Sequence, residues 1–214
     1  MLLQILALVV SGPAPAPCSI EGQVKFVKNG APAAPDELVV IYVDGLTSAA
    51  SPKSHQIKQI NRQFTPRVQV VQMNDTVEFV NEDKELHSVF SRSDDDPFDF
   101  KASKKGKTGE RPFLNSGSVM VQCDRHGWMR TDVLVLKNEH WTRPDAEGRF
   151  KLGELPAGTY TVVYWEPNGA TQKVTVKSCK GPVTLGAKEL VADPDPALLR
   201  KDGSEYPPDY RNPY

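Results

Sequence analysis

Between two apolar, alternating runs the chain reads "CDRHGWM": Cys123, then His126 three residues on, then Met129 three residues after that. A thiolate and an imidazole together make a strong borderline-soft donor pair. A thioether is a poor ligand for zinc or any hard cation, but a good weak ligand for copper. The loop "VMVQCDRHGWMRTDVLVL" therefore has the composition of a copper-ligating turn between two strands. It does not close a site alone.

Trigonal coordination by two imidazoles and one thiolate, with a distant methionine, is the blue-copper electron-transfer arrangement. It needs a second histidine from another strand, and the chain holds four: His55, His87, His126 and His140. His87 is the candidate. It lies in "VEFVNEDKELHSVF", just past one strand pattern and just before Val89-Phe90, at a strand edge rigid enough to hold a ligand. Ser88, directly after it, is placed to tie the two ligand segments together by hydrogen bonds. His55 and His140 are left as surface residues.

An upstream histidine after "VEFVNED", followed by Cys-x-x-His-x-x-Met between two strands, resembles the cupredoxin family of blue copper proteins. The loop spacing is the short amicyanin type; the plastocyanin type has two more residues before the methionine. The resemblance runs from about His55 to Lys137. It implies that His87, Cys123, His126 and Met129 ligate one mononuclear copper. It also implies that His126 emerges through an apolar patch with Gly127 and Trp128, where electrons enter and leave; ordinary packing is the alternative for Trp128.

Other chemistries fit less well. Gln122 and Asp124 flank Cys123, and only His55 and His140 remain, so the extra imidazoles of a multicopper catalytic site are lacking. One cysteine in the loop excludes a binuclear purple centre. No orienting third group or oxyanion hole supports a Cys-His nucleophile. One thiolate, two imidazoles and a thioether is not a usual closed zinc set. A filled mononuclear copper has no vacant position for substrate, so an electron carrier is expected rather than an enzyme. The alternatives are a copper storage or delivery module, or a copper-free interaction protein.

The elements that must position these residues read as all-β. Gly and Pro, 15 and 18 of them, punctuate short Val/Thr/Tyr/Phe-rich runs, and no convincing 3.6-residue period occurs. The expected architecture is a cupredoxin Greek-key barrel or sandwich plus a smaller immunoglobulin- or transthyretin-like sandwich. "DAEGRFKLGELPAGTYTVVYW" and "EGQVKFVKNGAPAAPDELVVIYVDG" resemble the closing and opening halves of a carboxypeptidase regulatory-like domain. That implies a sandwich split into residues 19–50 and 138–191, with the copper domain, 51–137, inserted. Pro156 and Gly158 are then turn residues, and Tyr160 and Trp165 core. The bland alternative is one enlarged cupredoxin with a β-extension. "LTSAASPKSH", Leu46 to His55, has linker chemistry. Asn81 to Asn115 reads as a long polar stretch. Its acidic run Asp94 to Asp96 and basic run Lys101, Lys104, Lys105, Lys107, Arg111 are read as solvated loops; steering of an acidic partner is the alternative for the basic run.

Residues 1–17 form a signal-like segment. Leu2 to Val10 is apolar but too short to span a bilayer, and small residues follow, although no Lys or Arg precedes it. Export to the periplasm or outside is expected. Cys18 and Cys179 are then spare thiols and a candidate disulfide. With 26 basic and 27 acidic residues, no charge excess points to nucleic acid. No transmembrane segment is expected. The expected partners are redox proteins, with docking through the sandwich or the tail. The tail, residues 192–214, is rich in Pro and Asp, and reads as disordered or as an arm laid over a surface.

Overall fold

The computed structural model describes residues 17–35, 37–48 and 50–210. The signal-like segment thus lies outside the described residues except for Pro17. The described chain is all-β, with no α-helix and a single 3-10 turn at Pro208–Tyr210. It opens with β1 (Cys18–Lys28), β2 (Ala31–Ala33) and β3 (Val40–Asp44). Nine strands follow: β4 (Ser54–Ile60), β5 (Gln63–Thr65), β6 (Val68–Gln72), β7 (Thr76–Asn81), β8 (His87–Ser91), β9 (Phe98–Ser103), β10 (Gly106–Pro112), β11 (Gly117–Gln122) and β12 (Arg130–Leu136). It closes with β13 (Trp141–Thr142), β14 (Arg149–Leu155), β15 (Gly158–Trp165), β16 (Gln172–Cys179), β17 (Pro182–Thr184) and β18 (Lys188–Ala192).

The first and last groups share one core. The long β1 pairs with β14 and β17 along its first half and with β2 and β18 along its second. The β1–β2 hairpin turns at Asn29-Gly30, both with positive φ, the conformation a tight two-residue hairpin demands. The facing sheet has the order β13-β3-β15-β16. Ile20, Val24 and Phe26 meet Ile41, Val43, Val162 and Tyr164 between them. A disulfide joins Cys18 to Cys179 within this core. Tyr160 is also buried here.

The middle group forms a second sandwich, β10-β7-β4-β5 against β6-β12-β11-β8-β9. Ile57, Val77, Phe79, Val89, Phe113, Val121, Val133 and Val135 fill it. A third apolar layer joins the two sandwiches: Val68, Val70, Leu134 and Leu136 from β6 and β12 pack on Val40, Val163 and Trp165. Successive strand residues point to opposite faces. β12 therefore feeds Val133 and Val135 to one core and Leu134 and Leu136 to the seam, which is why "VLVL" carries no polar alternation.

Two stretches differ from the sequence reading. In the stretch from Leu46 to His55 the described residues lie outside strands as far as Lys53, and Ser54 and His55 open β4. The polar stretch from Asn81 to Asn115 holds β8, β9 and β10. β9 and β10 each turn charged or polar residues such as Asp99, Lys101, Lys107 and Glu110 to solvent and bury none fully, so polar residues hide the strand pattern while Phe98 and Phe100 pack inward. Two charge assignments change with it. Asp96 is buried and paired with Arg111, whose guanidinium lies over the Phe98 ring at 4.7 Å. His55 and His140 are half-buried rather than surface residues. His55 lies on a strand face against the Asp75 carboxylate, and His140 sits where its backbone closes onto Val43 and Asn138.

Candidate metal centre

Strand pairing brings the two candidate segments together. β8 and β11 run antiparallel, with Val121 opposite Ser91 and Gln122 opposite Phe90. The start of β8, where His87 sits, therefore lies beside the end of β11, where Cys123 follows Gln122. The loop then folds back into β12, held by Cys123 N–H donating to the Met129 carbonyl at 3.3 Å and Met129 N–H to the His126 carbonyl at 3.0 Å. Thirty-nine residues apart in sequence, His87 and His126 approach to 3.2 Å between their Nδ1 atoms. Cys123 Sγ lies 3.7 Å from His126 Nδ1. The three donor atoms all lie within 4.8 Å of one another, and all three residues are buried. Met129 is buried in the same apolar cluster as Cys123.

The surroundings fix how these rings present their nitrogens. His87 Nε2 lies 2.8 Å from Asp83 Oδ2. A carboxylate there accepts, so the ring proton sits on Nε2 and the Nδ1 lone pair is turned toward the sulfur and the second imidazole. Asp83 is itself held by the N–H groups of Asn61 at 2.8 Å and Arg62 at 2.9 Å. These two residues form the β4–β5 turn with φ of 54° and 57°. The same turn offers the Arg62 carbonyl to Trp128 Nε1 at 2.9 Å. One tight hairpin thus braces both segments. Ser88 Oγ accepts from Asp124 N–H at 2.8 Å and lies 3.8 Å from Cys123 Sγ, bridging β8 to the loop.

The thiol is built to ionise. Burial opposes the charge, but the neighbouring His126 and His87 imidazoles and the backbone N–H groups of Arg125 and Ser88 outweigh it, lowering Cys123 from 9.0 to about 5. His87 is raised: burial works against its charge, and the Cys123 sulfur and the Asp83 carboxylate overcome it. Two imidazole nitrogens 3.2 Å apart beside a thiolate form a concentrated donor set that a cation satisfies. The set suits a borderline-soft ion; no carboxylate oxygen is among the three clustered donors, which disfavours a hard one.

The outer side of the loop is covered. Gly127 N–H donates to the Tyr210 carbonyl at 2.7 Å, and the Tyr206 hydroxyl donates to the Cys123 carbonyl at 2.6 Å. The His126 ring lies 5.3 Å from Trp128 and 6.4 Å from Tyr210 between centroids. His126 is only 8% exposed. The tail is therefore an ordered arm over a surface as far as Tyr210, and that surface is the loop itself. His126 and Gly127, expected from the resemblance to form with Trp128 an apolar patch where electrons pass, lie under this arm with Trp128 beside them. The histidine is enclosed, and Trp128 is half-buried and hydrogen-bonded.

Sequence reasoning missed Asp83, the Asn61-Arg62 turn and Tyr206. Asp83 stands four residues before His87 in "NEDKELH" and could have been noted as an acidic neighbour. Nothing local marks Tyr206, which arrives 83 residues after the cysteine it contacts.

No family model and no curated protein matches the sequence. Solved structures that resemble it include cupredoxins. The Cu(I) form of a methionine-to-alanine mutant of amicyanin is 16% identical with a TM-score of 0.37, covering 45% of this chain and 98% of that one. A purple cupredoxin from Nitrosopumilus maritimus is 20% identical with a TM-score of 0.35, covering 38% of this chain and 98% of that one. The copper-containing nitrite reductase from Thermus scotoductus SA-01 is 21% identical with a TM-score of 0.38, covering 54% of this chain and 29% of that one. All three TM-scores lie below 0.5, so this likeness transfers no role to the chain. What stands on the chain's own geometry is an all-β molecule holding a buried His-Cys-His group able to take a metal ion.

Proposed function

We propose that the chain is a mononuclear type 1 copper protein of cupredoxin type that carries single electrons between redox proteins, with His87, Cys123, His126 and Met129 as its ligands. One observation carries this: two imidazole Nδ1 atoms and a buried thiol, from segments 36 residues apart or more, converge within 4.8 Å with no carboxylate among them. Bound copper supplies a one-electron couple. The chain's own residues do the rest. Asp83 keeps the His87 proton on Nε2, so that Nδ1 is free to donate. Ser88 and the loop's internal hydrogen bonds fix the sulfur, and the packed β8, β11 and β12 exclude water and resist rearrangement. A rigid ligand set lets an electron move with little structural change.

The same reading takes residues 51–137 as the copper domain, inserted in a carboxypeptidase regulatory-like sandwich of residues 19–50 and 138–191 that serves as scaffold or docking surface. The separate apolar cores support this division. The disulfide supports an oxidising location, periplasmic or extracellular. Protein voltammetry tests the function. A reversible one-electron wave with one copper per chain is expected. Copper that binds without such a wave assigns the chain to storage or delivery instead.

A further inference from the structure

The chain beyond β18 crosses back over the candidate centre and touches its loop at three residues. It is rooted at Asp195, which accepts from Asn168 Nδ2 at 2.8 Å and Arg67 Nη2 at 3.1 Å. It then makes a tight hairpin, with Leu199 bridged to Glu205 and a turn at Gly203, where φ is 87°. At the hairpin, Lys201 N–H donates to Asp124 Oδ1 at 3.0 Å and Arg200 Nη2 to Asp124 Oδ2 at 3.3 Å. Next, the buried Tyr206 gives its hydroxyl proton to the Cys123 carbonyl, and the Tyr210 carbonyl takes the Gly127 N–H. Tyr206 is 2% exposed, so it is a packed element and not a loose tail.

We propose that residues 193–210 are a strap that completes the centre: it holds the Cys123–Met129 loop from outside and closes the face on which His126 would otherwise meet solvent. Only the description of that loop as a ligand loop rests on the function proposed above. The packing that makes the strap is independent of any metal. Reagents reach the buried sulfur by a local opening in which the strap lifts, and that opening is governed by the contacts just named.

The metal-free protein provides the test, because with Cys18 and Cys179 bridged Cys123 is the remaining free thiol. Its labelling by a maleimide under native conditions is compared in the parent chain, a chain ending at Ala192, and Gly127→Ala. A Cβ at Gly127 would meet the Tyr210 carbonyl oxygen at 2.6 Å and the Tyr206 ring at 2.8 Å, so alanine there pushes the strap off without removing it. Both variants are expected to label about ten-fold faster or more. Val176→Ala, in the other core, serves as a control for general destabilisation and should label at the parental rate. Should truncation prevent folding, Gly127→Ala decides alone. Parental labelling in folded Gly127→Ala, or equal acceleration by Val176→Ala, overturns the strap. Copper loading is scored separately: a parent chain that takes no copper sinks the ligand assignment and leaves the labelling result standing.

Discussion

Asp83 shows how one side chain outside the proposed ligand set decides what a histidine can do. Its carboxylate, 2.8 Å from His87 Nε2, selects the tautomer that leaves Nδ1 free, and two backbone donors from the β4–β5 turn hold it there. Removing such a partner of a metal-binding histidine typically costs about 10–100-fold in metal affinity. Asp83→Ala is therefore expected to weaken copper binding by that factor in competition with a chelator, with Asp83→Asn recovering part of it because the amide oxygen still accepts. Unchanged affinity in Asp83→Ala would remove Asp83 from the account. At this scale the sequence was informative where chemistry is encoded by type and spacing: Cys123, His126 and Met129 lie three residues apart, and only three other histidines, His55, His87 and His140, competed for the remaining place. It was silent where position depends on the fold. Asp83 looks like any surface acid, and Tyr206 lies in a segment with no periodic pattern.

Elements carry the site by adjacency. The β8–β11 pairing alone sets His87 beside Cys123. The turn between β6 and β7 is secured by Asp75, which is buried. It accepts from Lys53 N–H at 2.7 Å, Gln72 N–H at 2.9 Å and His55 Nε2 at 2.8 Å. Burial works against its charge, but those partners outweigh it and hold the carboxyl below its usual 3.8. A carboxyl lowered in the folded state contributes stability that is fully present above its unfolded value and is lost as pH falls through the folded one. Asp75→Ala should cost about 2 kcal/mol near neutral pH, because three donors lose their acceptor. The gap from the parent in urea melts should narrow as the pH drops below 3.8. A gap that is constant down to the lowest pH would show that the charge is not what matters. The strands with strong apolar patterns, β1, β3, β7, β11, β12 and β15, were legible. β4, β5, β9 and β10 were not, since each turns polar residues to solvent on one face or both.

At the scale of the molecule, two cores meet along a seam, and a single disulfide ties the first strand to the end of β16. The bridge spans 161 residues of sequence, so its loss frees a large loop in the unfolded chain. Replacing both cysteines with alanine is expected to lower stability by about 2–4 kcal/mol, read by chemical denaturation. The copper spectrum of the folded variant should stay unchanged, because Cys18 and Cys179 lie in the core that does not contain the centre. A lost spectrum in a folded variant would mean that the two sandwiches are one cooperative body. The disulfide and the all-β character were readable from cysteine count and turn density; the seam was not, because a residue facing a second core looks like one more buried position. Electron transfer at the proposed centre requires that the Cys123 sulfur bond directly to copper. The visible absorption spectrum of the oxidised, copper-loaded protein measures that bond. An intense thiolate-to-copper charge-transfer band that vanishes in Cys123→Ser is the result expected. Stoichiometric copper binding with no such band, or a band that survives Cys123→Ser, would contradict it.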